Sequence, residues 1–580
     1  MATSGEAQSQ LPLLLPALAE VGSGSLRVAF SWSTIEPQPG QWDFSAPDRM
    51  VRLMRFHKVR PTAILLTSPP WARTLDAPAD GTTNGMTLPI SHIEAWSKFV
   101  ARVIARYHHD VHYWEVWNEP NARAFNQGNH SPSDYAQLAQ RACRAAKQVT
   151  PDTRVGIGSA NFDLRYLRLV ISAMEAPPCF DFISVHPYEL LGGLRLAGGE
   201  AQFLDIVPNL RAMLQEVAPE KASVPLWFSE LGYSAAASPL DAGQQGRASL
   251  DEDGGAEERV AELLIKAYTL AHVQGVQHVQ WFEVKDAGGS QDHGLLDDSG
   301  RRRRAFHAYQ KLSSALGPQA RYLGWTQLGE NKAGVGFLFR PAHGRFDILV
   351  AWTLDGGKAR WIPPRTAKTL FAVEKLPHSE YMLSASPAVL QLMRGEFAET
   401  ARVRHGAPFP PRPRTSRAST ARLKLGNSYR AAGLRLLNRN RTTEHTFEDG
   451  TSGAKLLSGN HFLFAADSPF AGYHRRSFCV DIKARALAPY TKGEYAGMNL
   501  FYQPHGGHAT TAPAYPYKNL GQWYALPDDD RWHEWSFCVG DAMLVHTFGY
   551  GFSLSVDASV PFALGEVTLR FPPNGGSMTR

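Results

Sequence analysis

Two glutamates stand at the ends of strongly apolar runs. Glu119 lies in Trp114-Glu115-Val116-Trp117-Asn118-Glu119-Pro120, and Glu230 in Trp227-Phe228-Ser229-Glu230-Leu231-Gly232. A carboxylate placed straight after such a run is costly to desolvate and has no evident structural task there. Either one alone reads as a satisfied polar residue. Two of them, each ending a strand, point to chemistry. Brought together, a protonated carboxyl and an ionised one can cleave a glycosidic bond with retention, for which the two groups lie about 5–5.5 Å apart. Alternation along the first run places Glu115, Trp117 and Glu119 on one side and Asn118 on the other until Pro120 breaks the strand.

Strand ends converge when parallel strands share one barrel mouth. Seven short apolar segments have the bounded, two-face-buried pattern of parallel strands: Ser25–Ser31, Pro61–Thr67, His112–Trp117, Arg154–Ser159, Phe182–His186, Val224–Ser229 and Val276–Phe282. Between them lie helices with 3.6-residue periodicity. His92–His109 aligns Ile93, Trp96, Phe99, Val100, Val103, Ile104 and Tyr107, and Ala201–Val217 aligns Phe203, Leu204, Val207, Leu210, Met213, Leu214 and Val217. Repeated βα units predict an α/β fold, a (β/α)8 TIM barrel, with a doubly wound sheet as the competitor. Such a barrel carries its chemistry at the C-terminal ends of its strands.

A complete barrel needs one strand more. Leu11–Val21 reads as the first, buried helix, and residues 1–10 show no strand pattern. The expectation is a barrel open at one seam, or a chain truncated relative to a complete protein. Counted from the missing strand, Glu119 ends strand four and Glu230 strand seven.

Trp-Asn-Glu-Pro and Ser-Glu-Leu-Gly at those two positions resemble clan A of the glycoside hydrolases, retaining enzymes built on the (β/α)8 barrel. Within the clan, three features are most similar to family 39, which includes β-xylosidases, α-L-iduronidases and bacterial exopolysaccharide hydrolases. They are Arg27 in the stretch Leu26–Phe44, Ser68-Pro69-Pro70-Trp71, and His186-Pro187-Tyr188. The resemblance covers residues 11–316. It implies that Glu119 is the general acid/base and Glu230 the nucleophile. The acid must start protonated and the nucleophile ionised. The resemblance further implies that Asn118 binds the sugar 2-hydroxyl and Arg27 keeps the nucleophile charged. Tyr188 would donate to the nucleophile, and His186 would set the acid's proton. Trp281 would form the floor under the cleaved sugar, and Trp71 joins the substrate-binding set. Retaining hydrolysis needs neither metal nor cofactor.

After Leu316 the texture becomes β throughout. The expected division is a catalytic barrel over 1–316, a small β domain packed on it over 317–402, a linker over 403–422 and a C-terminal β-sandwich over 423–580. The linker holds four prolines and five arginines in 20 residues, a composition that cannot bury a core. The last part resembles a carbohydrate-binding module, with aromatics in and around Gln503–Gly521 that could stack on sugars.

Composition narrows the alternatives. Of 580 residues, 43% are hydrophobic and 20% charged, as in a globular protein. The net charge of +6 is small for the length, and linker arginines supply much of it, so nucleic acid is not the expected partner. No apolar run approaches the roughly 18 residues that span a bilayer. Leu11–Ala19 lacks the preceding basic residues of a signal peptide, which leaves the compartment open. Cys479 and Cys538 share the context Ser-Phe-Cys-Val and could be neighbours, but two buried thiols is the expectation. Arg301–Arg304 reads as a solvated helix start, and Asp251-Glu252-Asp253 either as part of a loop flanking the cleft or, equally, as a plain solvated loop.

The expected protein is a retaining O-glycosidase acting on a poly- or oligosaccharide, with oligomeric state open. Two rivals stand beside it: a noncatalytic sugar-binding protein on a degenerate barrel, and a transglycosylase using the same residues.

Overall fold

The computed structural model describes residues 5–73, 85–122, 124–194, 199–234, 254–286, 292–354, 357–371, 374–377, 380–397, 419–426, 428–431, 433–466, 477–502, 518–520, 523–540, 542 and 551–571. Asp251–Asp253, residues 403–418 of the expected linker and most of Gln503–Gly521 lie outside them.

Seven parallel strands form one sheet: β1 (Ser25–Ser31), β2 (Arg60–Leu66), β3 (Tyr113–Val116), β4 (Arg154–Ala160), β5 (Phe182–His186), β6 (Leu226–Leu231) and β7 (His278–Trp281). Their spatial order is their chain order, β1 to β7, with parallel register throughout. This is the TIM-barrel arrangement, and α/β barrel followed by all-β sheets is the fold class. Buried helices wrap it. The first, Gly5–Glu20, buries Leu11, Leu14, Leu15 and Leu18, as the apolar stripe predicts. Pro132–Val149 starts on a capping box in which Ser131 and Asp134 satisfy each other's backbone N–H. Ala201–Val217 departs from expectation: it divides into Gly199–Leu204 and Ile206–Val217. Pro208 explains the break, since its ring clashes with the carbonyl four residues back, that of Leu204.

Among the described residues β1 and β7 share no backbone ladder, so the sheet is open at that seam. Side chains bridge it instead. Ser25 Oγ lies 3.2 Å from His278 Nε2, and Gln280 Nε2 donates to Thr62 Oγ1 at 2.7 Å. A cavity of about 500 Å³ runs beside the bridge, bordered by Leu18 and His278 and reaching Arg27 and Glu230.

A five-stranded antiparallel sheet follows, in the order Lys368–Phe371, Ala388–Met393, Phe346–Thr353, Gly334–Arg340 and Arg321–Leu328. Alternation gives it two apolar faces. Val335, Phe337, Phe339, Ile348, Val350 and Trp352 enter the barrel's own core. Leu338, Leu349, Ala351, Leu390 and Leu392 pack with a small three-stranded sheet on the other side. A buried ion pair fastens the junction: Lys266 Nζ meets Glu200 at 3.2 Å, and Trp352 Nε1 donates to the same carboxylate at 3.0 Å. The run Arg301–Arg304 leads into the helix Arg304–Leu316 as expected, with Arg301, Arg302 and Arg304 exposed, and it also carries ion pairs. Arg301 and Arg303 reach Glu257, Arg303 also meets Asp286, and Arg304 meets Glu258.

The C-terminal part is two packed antiparallel sheets with their own core, including Leu423, Phe464, Phe478, Val480, Leu500, Phe552 and Leu569. One correction concerns the cysteines. Cys479 and Cys538 are direct partners across Phe478–Ala486 and His533–Val539, and they form a disulfide. Cys143 on the Pro132–Val149 helix is bonded to Cys179, in a loop that Gln140 holds through the backbone of Glu175 and Cys179. Direct cross-strand register, invisible before the strands are paired, brings the first two sulfurs together.

Two outcomes test these features. Thiol titration of the denatured protein should find no free thiol before reduction and four after it. Replacing both Cys143 and Cys179 by alanine should lower unfolding stability by about 2–4 kcal/mol, the range for removing such a loop closure. At the seam, burial pushes His278 down to about 4. The unfolded chain takes up that proton near pH 6.5 and the folded one only near 4, so stability falls as pH drops through that window. In denaturant titrations at pH 7 and pH 4.5, His278→Gln should lose less stability on acidification than the parent.

Candidate active site

The chain leaves β3 in an unusual way. The strand ends at Val116, and both Trp117 (φ 65°) and Glu119 (φ 41°) adopt left-handed backbone conformations that non-glycine residues take at a cost. These two turns break the expected alternation. Trp117 is driven into the surrounding core, where its ring meets Trp96 and its Nε1 donates to the carbonyl of Phe125. Asn118, expected on the opposite side from Glu115, instead shares a partner with it.

That partner is Arg27, on β1 and only 4% exposed. Its Nε and Nη2 donate to Glu115 Oε2 at 3.2 and 3.0 Å, Nη2 also reaches Asn118 Oδ1 at 3.0 Å, and Nη1 contacts Glu230 Oε1. Burial works against the Arg27 charge most strongly, but Glu115 and Glu230 outweigh it and raise its pKa, so the guanidinium stays charged. Glu230, at the end of β6, receives a second donor from Tyr188 Oη at 3.1 Å. Burial above all, then the charges of Glu230 and Glu119, hold the Tyr188 phenol well above its ordinary range, so it remains a donor.

His186, the last residue of β5, joins the other carboxylate. Its Nδ1 lies 2.7 Å from Glu119 Oε1 and 3.6 Å from Glu230 Oε2, and its Nε2 lies 3.1 Å from Ser229 Oγ. Burial is again the largest influence and disfavours the imidazolium. Glu230 and Glu119 more than offset it, and the His186 pKa is raised. Glu119, His186 and Glu230 each offer an atom within 4.8 Å of the others. Such a trio could suggest a metal centre, but its donor set fits a cation poorly. The imidazole nitrogens face Glu119 and Ser229, and Glu230 is already neutralised by a guanidinium.

Five of the expected residues, Arg27, Asn118, Glu119, His186 and Tyr188, thus converge on or beside Glu230. Trp281, at the end of β7, is buried beside the cavity that reaches Glu230, with its indole N–H unpartnered. Trp71 packs edge-on against Trp32 and donates to the carbonyl of Glu36 at 3.2 Å. Three residues outside the expected set also belong to the cluster. Glu115 Oε2 accepts from Arg27 and from Ser229 Oγ at 3.1 Å. Glu283 follows β7, where burial first, then Asp286 and Glu230, push its carboxyl above the ordinary range. Its signal was available, since it too is a carboxylate just past an apolar strand end. Glu115 could have been found as a charge within a strand buried on both faces. Ser229 carries no such signal.

Residues 40–245 match the family model described as glycosyl hydrolases family 39. No curated protein matches the chain significantly. Among solved structures, a family 39 glycoside hydrolase from the gut symbiont Bacteroides cellulosilyticus WH2 superposes with a TM-score of 0.52 at 17% identity, over 66% of this chain and 78% of that one. A GH30 endoxylanase from Clostridium papyrosolvens C71 gives 0.43 at 11% identity over 66% and 92%. The exo-beta-1,4-mannosidase Op5Man5 from Opitutaceae bacterium strain TAV5 gives 0.40 at 16% over 53% and 55%. At these identities the structural likeness to the first of these is one of fold, and the family match over residues 40–245 adds the activity class: the chain is a glycosidase.

Proposed function

We propose that the protein hydrolyses O-glycosidic bonds of a poly- or oligosaccharide by double displacement, with Glu119 as acid/base and Glu230 as nucleophile. The observation that carries this reading is the spacing. Carboxylate oxygens of Glu119 and Glu230 approach within 4.8 Å, close to the retaining distance and too near to seat the water an inverting enzyme needs. Arg27 and Tyr188 both donate to Glu230 and aim it. Glu230 attacks the anomeric carbon as Glu119 gives its proton to the departing oxygen, and a glycosyl ester forms. Water then attacks the same carbon, Glu119 takes the water's proton, and Glu230 leaves as carboxylate. Because Arg27 occupies Asn118 Oδ1, the amide N–H₂ is the end left to donate to the sugar 2-hydroxyl. Trp281 supplies an apolar wall. A transglycosylase would run the first step identically and differ only in the acceptor; a sugar binder without activity would have no need of the paired carboxylates.

For the C-terminal sandwich, residues 423–580, we propose sugar binding. Tyr495 and Trp523 are 45% and 43% exposed, with ring centroids 6.2 Å apart. Gly497 leaves room for Trp523, since an added Cβ there would come within 2.3 Å of the indole. Asp557 fixes the Tyr495 hydroxyl at 3.1 Å. The small β domain over 317–402 and the linker over 403–422 complete the proposed division. Two disulfides suit an oxidising compartment.

A panel of aryl glycosides and polysaccharides tests the catalytic reading. Glu230→Gln should abolish turnover of any substrate the parent cleaves. Glu119→Gln should lose about 10²–10⁴-fold, least on dinitrophenyl glycosides, whose leaving group needs no proton. NMR should show the first-formed sugar with its anomeric configuration retained. Unchanged turnover in either variant sinks the assignment, and products transferred only to sugars would favour the transglycosylase. Separately, the full chain carrying Trp523→Ala and Tyr495→Ala should lose at least about fivefold in retardation by polysaccharide in native gels, a loss of roughly 1 kcal/mol of stacking. Its turnover of small aryl glycosides should stay at the parental level.

A further inference from the structure

The acid/base contact does not end at His186. From Glu119 the hydrogen bonds run to His186 Nδ1 at 2.7 Å, from His186 Nε2 to Ser229 Oγ at 3.1 Å, and from Ser229 Oγ to Glu115 Oε2 at 3.1 Å. Arg27 then connects Glu115 to Glu230. The proton directions along this chain follow from the groups themselves. Glu115 is paired with a buried guanidinium and can only accept. A serine hydroxyl has one proton, so Ser229 gives it to Glu115 and turns a lone pair toward the imidazole. His186 Nε2 must then carry hydrogen.

We infer that Ser229, anchored on Glu115, is a positioning residue that holds His186 in its Nε2–H form and thereby keeps one transferable proton on the contact between His186 and Glu119. With hydrogen fixed on Nε2, a neutral ring presents a bare Nδ1 to Glu119, and a 2.7 Å contact between them requires a proton on one side or the other. The opposite tautomer would place Nδ1–H against an ionised Glu119 and leave the acid without the proton it must deliver. The groups facing the ring agree with this role. Glu119 and Glu115 come from β3 and its end, Glu230 and Ser229 from β6, Arg27 from β1 and Tyr188 from just past β5, while Glu283 beyond β7 adds charge at Glu230. Carboxylates outnumber the single arginine, so the site retains a proton on the shared contact. Glu115 serves twice, as acceptor for Ser229 and as counter-ion to the arginine that holds the nucleophile.

The inference rests on Glu119 being the acid/base, and the experiment separates the two claims. Ser229→Ala removes the acceptor for Nε2–H, while Ser229→Thr keeps the hydroxyl. For aryl glycosides with poor leaving groups, kcat/KM of Ser229→Ala should fall about 10- to 100-fold, part of what general acid catalysis supplies. The fall should be at least tenfold smaller for dinitrophenyl glycosides, and the basic limb of the pH profile should move to lower pH. Ser229→Thr should restore the parental limb. An unshifted limb, or an equal loss on both leaving groups, overturns the inference while Glu119→Gln still judges the catalytic reading. A second measurement needs no substrate. In protein labelled with ¹⁵N-histidine, the His186 signals, identified by their loss in His186→Gln, should show hydrogen on Nε2. A neutral ring with hydrogen on Nδ1 alone overturns the inference whatever the activity.

Discussion

The guanidinium of Arg27, enclosed in the barrel and held between Glu115, Asn118 and Glu230, is the interaction on which the site depends. It supplies a counter-charge that both Glu115 and Glu230 contact directly. Arg27 also forces a geometry. Its planar fork presents separate donors to three side chains, so the ends of β3 and β6 are set relative to β1 within hydrogen-bond tolerance. A buried charge cluster of this kind adds little to stability and costs much if one member is lost. Its value here lies in placement.

Backbone strain and polar contacts collaborate at the same point. The left-handed turns at Trp117 and Glu119 lift Asn118 to the arginine and Glu119 to His186, and Trp117 is held in that conformation by its own core packing. The remaining architecture supplies rigidity from outside. The antiparallel sheet after residue 316 shares the barrel's core, and Lys266, Glu200 and Trp352 tie the two together. The barrel remains open between β1 and β7, where Ser25, His278, Gln280 and Thr62 bridge what no backbone ladder closes among the described residues.

Legibility followed the range of the physics involved. All seven strands were readable, because a strand buried on both faces must be a short apolar run, and their observed ends differ from the expected ones by a residue or two. Glu119 and Glu230 were readable because a charge beside such a run has no cheap explanation. The single helix expected over Ala201–Val217 failed on Pro208, a local signal overridden by a strong periodicity. Alternation failed at Asn118 because it presumes extended backbone, and the strand had already ended at Val116. The cysteine expectation failed because pairing depends on register between segments 59 residues apart.

The residues alone therefore determined the βα repeat, the paired carboxylates and the partners that resemblance assigned, since each depends on patterning within a short window. Tertiary structure decided what those groups do to one another. It placed Glu115 and Ser229 in the hydrogen-bonded chain behind His186. It also raised the His186 pKa by surrounding the ring with acids from different strands. Electrostatic interactions act through space over a few ångströms, between positions such as Arg27 and Glu230 that lie 203 residues apart in the chain, and no pattern along the backbone encodes that distance.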